Sequence, residues 1–285
     1  MTPARLSLAR LTVLDAHRLE LIDAAVAGRF DAIGLRIVPP APTDAMVPVV
    51  GDEALIQRLL AKLRDTAIDV LDVETIWIGP DIDVAALRPA LEVAQRLGTK
   101  NVLTMGNDPD EARLTASFAR LCEEGAKFDL RVGLEFAAYT HASSIRQAHR
   151  IVSKAGQPNG GVLIDALHFT RSGGTPGDIA RLDPRWLSYS QICDARGPRP
   201  ATHGALKREA RGERYYPGTG DIPLARILDA LPEGLPIGVE APCAQDAALP
   251  VTERARRCGE ATHRFLELYR RSPVSGPQTS EETDR

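Results

Sequence analysis

Four side chains able to donate oxygen close four successive apolar runs in the second half of the chain: Glu135 in VGLEF, Asp165 in LIDALHF, Gln191 in SQICDA and Glu240 in GVEAP. Three carboxylates delivered to one apolar interior repel one another strongly, and a doubly charged cation turns that repulsion into coordination. With the Gln191 side-chain carbonyl included, the donors are all oxygen. Such a hard set suits Mn²⁺ or Mg²⁺, with Co²⁺ compatible, better than a sulfur-rich zinc site does. One divalent metal held by Glu135, Asp165, Gln191 and Glu240 is the first expectation. His168, three residues after Asp165, exchanges protons near neutral pH and is a candidate general acid or base, or a partner of the metal ligands. Arg171, in HFTRSGG, offers a planar fork for a substrate carboxylate or hydroxyl. Glu74 and Arg36 lie in earlier runs and have the register to reach the same pocket from its opposite wall. His141 and His203 are weaker candidates, better read as solvent-exposed. Lys207, Arg208, Arg211 and Arg214 form a basic run that is either a solvated face or a cover over an anionic substrate.

Side chains so far apart in sequence converge only if the runs carrying them are neighbouring strands. Short β-branched or apolar runs recur at 6–13, 31–38, 68–78, 99–105, 130–136, 161–169, 187–195 and 235–242. Amphipathic stretches such as 52–67, 83–98 and 143–156 separate them, opening on capping-type residues or ending at Gly. Helices over 15–28 and 252–271 bracket the array. Eight βα units predict an α/β fold, a single (β/α)8 TIM barrel over residues 1–272, in which residues at the C-terminal strand ends face one polar pocket. The polar segment 273–285 is expected to be a disordered tail. Two insertions, 38–52 and 196–223, both follow strands and so belong on that same face. The second is basic and punctuated by Gly and Pro, which suits a lid over an anionic or polyhydroxylated ligand.

Composition narrows the partners. The chain has 285 residues, 44% of them hydrophobic, enough for a full-sized core, and its 35 Lys+Arg against 38 Asp+Glu give a net charge of −3. No field gathers nucleic acid or an anionic membrane, so the expected partner is a small polyhydroxylated or keto-acid substrate. Four cysteines lack C-x-x-C spacing, and the N-terminus lacks the features of a signal peptide; both fit a cytoplasmic protein with reduced thiols. Homo-oligomerisation is left open.

VGLEF, LIDALHF, QICDA and GVEAP resemble the metal-binding strand ends of the xylose isomerase-like superfamily of sugar isomerases, epimerases and related dehydratases. The likeness covers nearly the whole chain. The superfamily pattern is Glu, Asp, His or Gln, and Glu on strands five to eight, and PGTGDIP at 217–223 resembles its P-G-x-G turn. The resemblance implies an isomerase or epimerase of a sugar or sugar-derived keto acid working through a metal-stabilised enediolate, with Glu135 and Glu240 exchanging protons while ligating the metal. One position departs from the commoner pattern. Most epimerases of the superfamily carry His where this chain has Gln191, and Gln there resembles the bacterial 3-dehydroshikimate dehydratases. A lyase of the dehydroshikimate or inosose type, with His168 as the base, is therefore the alternative. Apurinic endonucleases share the barrel but need further histidine ligands and a basic DNA-facing surface, which six histidines and a net negative chain do not supply. A non-catalytic binding barrel would show no metal-dependent turnover.

Overall fold

In the computed structural model, which describes residues 4–39 and 49–271, the chain alternates strand and helix almost throughout. In order, the elements are β1 (Leu6–Leu8), α1 (Arg18–Ala27), β2 (Ala32–Arg36), α2 (Glu53–Thr66), β3 (Asp69–Ile78), α3 (Arg88–Arg96), β4 (Asn101–Gly106), α4 (Glu111–Ala126) and β5 (Arg131–Glu135). They continue as α5 (Ile145–Ala155), β6 (Gly160–Asp165), α6 (Ala166–Arg171), α7 (Pro176–Ala180), β7 (Ser190–Ile192), α8 (His203–Gly212), α9 (Leu224–Ala230), β8 (Ile237–Val239) and α10 (Val251–Arg271). The strands pair in parallel and in sequence order, and β8 closes on β1, giving a (β/α)8 TIM barrel.

The helix boundaries follow from capping chemistry. Asp52 accepts from the Leu55 amide to start α2, and Ser144 accepts from Gln147 to start α5. Gly156 ends α5 in the left-handed region at φ 65°, where a residue without Cβ is unstrained. The core has two parts. The larger fills the space between sheet and helices, and a smaller one inside the barrel packs Leu103, Met105, Leu163 and Tyr189 together, with Trp77 and Tyr139 against them. This inner plug forms the base on which the candidate site rests.

Several runs are shorter as strands than their composition implies. The run at 161–169 stops being a strand at Asp165, because the Asp165 carboxylate accepts from the His168 amide at 2.8 Å and starts a helix there. The run at 6–13 is a strand only over Leu6–Leu8 and then makes a 3-10 turn at Arg10–Val13. The insertion 196–223 is not an irregular cover; it contains α8. The tail 273–285 and most of the insertion 38–52 lie outside the described residues.

Candidate active site

Glu135 and Asp165 are the last residues of β5 and β6, Gln191 is the middle residue of β7, and Glu240 directly follows β8; all four are buried. Register sets Asp165 opposite Gln191, whose partner Gly238 lies two residues before Glu240, while Glu135 pairs with Leu163, two residues before Asp165. A Cβ on Gly238 would stand 3.0 Å from Gln191 Cγ, so glycine there leaves Gln191 room beside it. Among the described residues, Glu135, Asp165 and His168 form the group of metal-ligating side chains whose donor atoms lie within 4.8 Å of one another. The helix turn at Asp165 is what carries His168 back toward Glu135.

Arg214 sits at the centre of this arrangement, only 1% exposed. Its Nη1 donates to Asp165 Oδ2 at 2.7 Å and to the Glu240 carbonyl at 3.0 Å, and its Nη2 lies 2.9 Å from Glu240 Oε2 and 3.5 Å from His168 Nε2. Burial works against the charge on Asp165, yet Arg214 and His168 hold its carboxyl below the usual range. Glu240 is pushed up to about 8, chiefly by burial, with Glu74 and Asp165 adding to it and Arg214 opposing. Glu135, which has no such cation in contact, is raised well above an ordinary glutamate by burial and by Glu240 and Asp165. Burial draws His168 down to about 4, so its imidazole is neutral at pH 7.

These residues fit a divalent ion. Glu135 Oε1 and Gln191 Oε1 are buried oxygens without a hydrogen-bond partner, a costly state unless a cation receives their lone pairs. Once ionised, the three carboxylates less one Arg214 would carry two negative charges, which one divalent ion would balance; the upward shifts of Glu135 and Glu240 express that missing positive charge. The set that would hold it is Glu135, Asp165, Gln191 and Glu240, with His168 within reach.

Above this floor opens a cavity of about 940 Å³, lined by Glu135, His168, Arg214 and Glu240 below, and by Arg36, Trp77, Lys207 and Arg211 around it. Arg36 thus reaches the pocket as its register implied. Glu74 does not line it: the side chain is 1% exposed, Oε1 accepts from the Arg10 amide at 2.9 Å, and Oε2 has no partner. Burial raises Glu74 against Arg36 and Arg10. Arg171 corrects its expected role as a substrate clamp. Its Nε and Nη2 donate to the two oxygens of Glu209 at 3.0 and 2.7 Å, and its Nη1 and Nη2 reach the Gly197 and Arg196 carbonyls. Its fork is therefore spent in tying α6 to α8. His141 and His203 are exposed and do not line the cavity.

Arg214 is the residue that a reading of the sequence underrates. It lies in a run of surface charges, but the spacing Leu206, Ala210, Arg214 is that of one helical face, and the first two are buried. The segment that follows is organised by Asp194, whose carboxylate accepts from the amides of Ala195, Gly218 and Ile222. A Cβ on Gly220 would fall 2.5 Å from Asp194 Oδ1, so the PGTGD turn requires glycine there. Deeper still, Tyr189 donates to Asp72 at 2.9 Å, and burial together with Glu74 raises Asp72 well above an ordinary aspartate.

A protein-family model described as xylose isomerase-like TIM barrel matches residues 22–261. This chain belongs to that family. Within curated proteins, a 3-dehydroshikimate dehydratase of Pseudomonas putida is 29% identical over 143 residues, 48% of this chain but 22% of that protein. An inosose isomerase of Halalkalibacterium halodurans is 25% identical over 160 residues, 53% of this chain and 55% of that protein. The chain thus spans between a fifth and about half of the length of these relatives. Among solved structures, the IolI protein with a bound zinc atom superposes with TM-score 0.77 at 19% identity, covering 93% of this chain and 99% of that one, which is a likeness of fold. The family includes isomerases, epimerases and dehydratases. Among the described residues, no helix is long and apolar enough to cross a membrane.

Proposed function

We propose that the chain is a divalent-metal-dependent isomerase or epimerase of a sugar or sugar-derived keto acid. The observation that carries this reading is the pair of orphaned buried oxygens, Glu135 Oε1 and Gln191 Oε1, on successive strands with Asp165 and Glu240, of which Glu135 and Glu240 line the cavity. A divalent ion bound there supplies the positive charge that polarises a substrate carbonyl and acidifies the adjoining C–H. Glu135 and Glu240 come from strands three places apart round the barrel and both line the cavity, so one can take a proton while the other returns one from a different side. Arg214 holds Asp165 and Glu240 in fixed orientation through its bonds to both. The inner plug under the site keeps water from its base.

The second reading, a dehydratase, is favoured by Gln191 and by the match to curated 3-dehydroshikimate dehydratases. Neutral His168 would then take the proton, and a β-hydroxyl would leave as water.

Metal content and isotope exchange test both. Protein loaded with Mn²⁺ should retain close to one equivalent, and Glu135→Gln and Gln191→Leu should each lower the affinity by roughly tenfold or more. Ketoses and keto acids incubated in D₂O with the loaded enzyme should gain deuterium beside the carbonyl. Growth of an aromatic ultraviolet band from 3-dehydroshikimate would instead favour the dehydratase. Retention below about a tenth of an equivalent, unchanged in both variants, would overturn the metal reading.

A further inference from the structure

The cavity is chemically lopsided above its floor. Lys207 and Arg211 lie one turn apart on α8, both exposed and both lining the cavity, and neither forms an ion pair among the described residues. Two like charges at this spacing repel each other. The acid between them that could relieve this, Glu209, is turned away into Arg171. Arg36 adds a third cation from β2, with a buried Nε lacking any hydrogen-bond partner. The carboxylates of the opposite rim do not answer them: Asp83 accepts from the Ala85 and Ala86 amides, and Asp81, like Asp83, is exposed. Apolar lining comes from Trp77, Ile82, Leu87 and Leu11.

Neutral polar side chains are scarce. Among the described residues, those that line the cavity are Thr75, Asn107, Tyr139 and the neutral His168, against more numerous charged and apolar ones. A polyol filling it would have to take most of its hydrogen bonds from charged side chains, whose charge it does not neutralise. An anionic compound with few hydroxyls meets the opposite situation, since its charge finds unpaired cations and its body finds apolar surface.

We infer that the cavity takes a keto compound bearing one anionic group, carboxylate or phosphate, on a largely apolar and sparsely hydroxylated body. The anion sits at Lys207 and Arg211, the body lies against Trp77, Ile82 and Leu87, and the keto group points to Glu135 and Glu240. Only the last placement rests on the enolising function proposed above.

The two tryptophans make the test direct. Trp77 lines the cavity, whereas Trp186 packs against His149 at 5.0 Å between ring centroids and does not. In a Trp186→Phe background, quenching of Trp77 fluorescence reads occupancy at low ionic strength, with and without Mg²⁺. The probes are 4-oxocyclohexanecarboxylate, cyclohexyl phosphate and myo-inositol, which share a six-membered ring. At least one of the two anions should bind about tenfold more tightly than myo-inositol, and which one identifies the natural anionic group. Lys207→Gln with Arg211→Gln should weaken that anion at least about fivefold without changing the melting temperature. Myo-inositol binding as tightly as both anions, an affinity within about twofold in the double variant, or no saturable quenching by any probe would overturn the inference. Failure of the enolising reading looks different: anion selectivity persists, and Mg²⁺ does not tighten the keto probe.

Discussion

Glu111 on the helical shell and Glu240 at the mouth of the barrel each touch an arginine, yet they are driven in opposite directions. Glu111 receives both arms of Arg150 and is pulled down to about 2 by that pairing, whereas Glu240, 2.9 Å from Arg214, is pushed up to about 8 by burial. Glu53 and Glu253 repeat the shell behaviour with Arg96, Arg256 and Arg257. On the shell, water solvates whatever the partner does not, and each acid meets its own cation. At the mouth, Asp165 and Glu240 share Arg214, Glu135 touches no cation, and all three are buried. The same residue types stabilise one region and leave the other in need of further positive charge, and that deficit is what makes the mouth the candidate site.

The comparison is broken most severely at Arg214. Replacing it with Met leaves Asp165 and Glu240 buried without their cation, and the expected loss is about 3–5 kcal/mol. For a chain of this size that is on the order of 10 °C in melting temperature. Saturating Mg²⁺ should recover part of the loss, because it offers the same acids another cation. Thermal denaturation with and without the ion checks both statements. A variant within about 1 kcal/mol of wild type would mean that Arg214 is not what keeps Asp165 ionised and that the charge argument fails.

How much of this was legible in the sequence depends on which physical signal marks each residue. The eight strands and their order were readable, because alternation of apolar runs with helical periods reflects burial, and burial sets the barrel. Glu135, Asp165, Gln191 and Glu240 could be picked out because each closes an apolar run, so strand direction alone assigns them to one end. Arg171 and Arg214 could not be sorted in this way. Both are arginines in polar, glycine-bearing segments, and what separates them is tertiary: Glu209 from α8 claims the first, and the carboxylates of β6 and β8 claim the second. Glu74 had the right register but does not line the cavity, one of its carboxylate oxygens accepting from the Arg10 amide. The change of Asp165 from strand residue to helix cap depends on a single hydrogen bond to His168, which no periodicity encodes.

Between the extremes stands the Arg171–Glu209 pair, whose side chains are 7% and 10% exposed. Its environment is closer to the mouth than to the shell, so Arg171→Met should cost more than a surface pair, about 2–3 kcal/mol, by leaving Glu209 buried alone. Adding Glu209→Leu should then recover stability rather than lose more, since two apolar groups in contact need no partner. Chemical denaturation of the two single variants and the double variant measures the coupling. Strict additivity would place the pair with the shell and show that α6 and α8 are held together by other contacts.

The smallest effect belongs to Glu111 itself. Glu111→Gln removes its bonds to Arg150 and Lys154, and because these are solvent-screened the cost at pH 7 should be under about 1 kcal/mol. The folded carboxyl titrates near 2 against an ordinary 4.5, so its contribution is fully present above about pH 4.5 and fades as pH falls toward 2. Urea denaturation of wild type and variant at pH 7 and pH 3 should therefore show a small difference that narrows in acid. A difference above about 2 kcal/mol, or one that widens on acidification, would show that the shell charges carry the same strain as those at the mouth. The contrast between the two regions would then have to rest on something other than access of water.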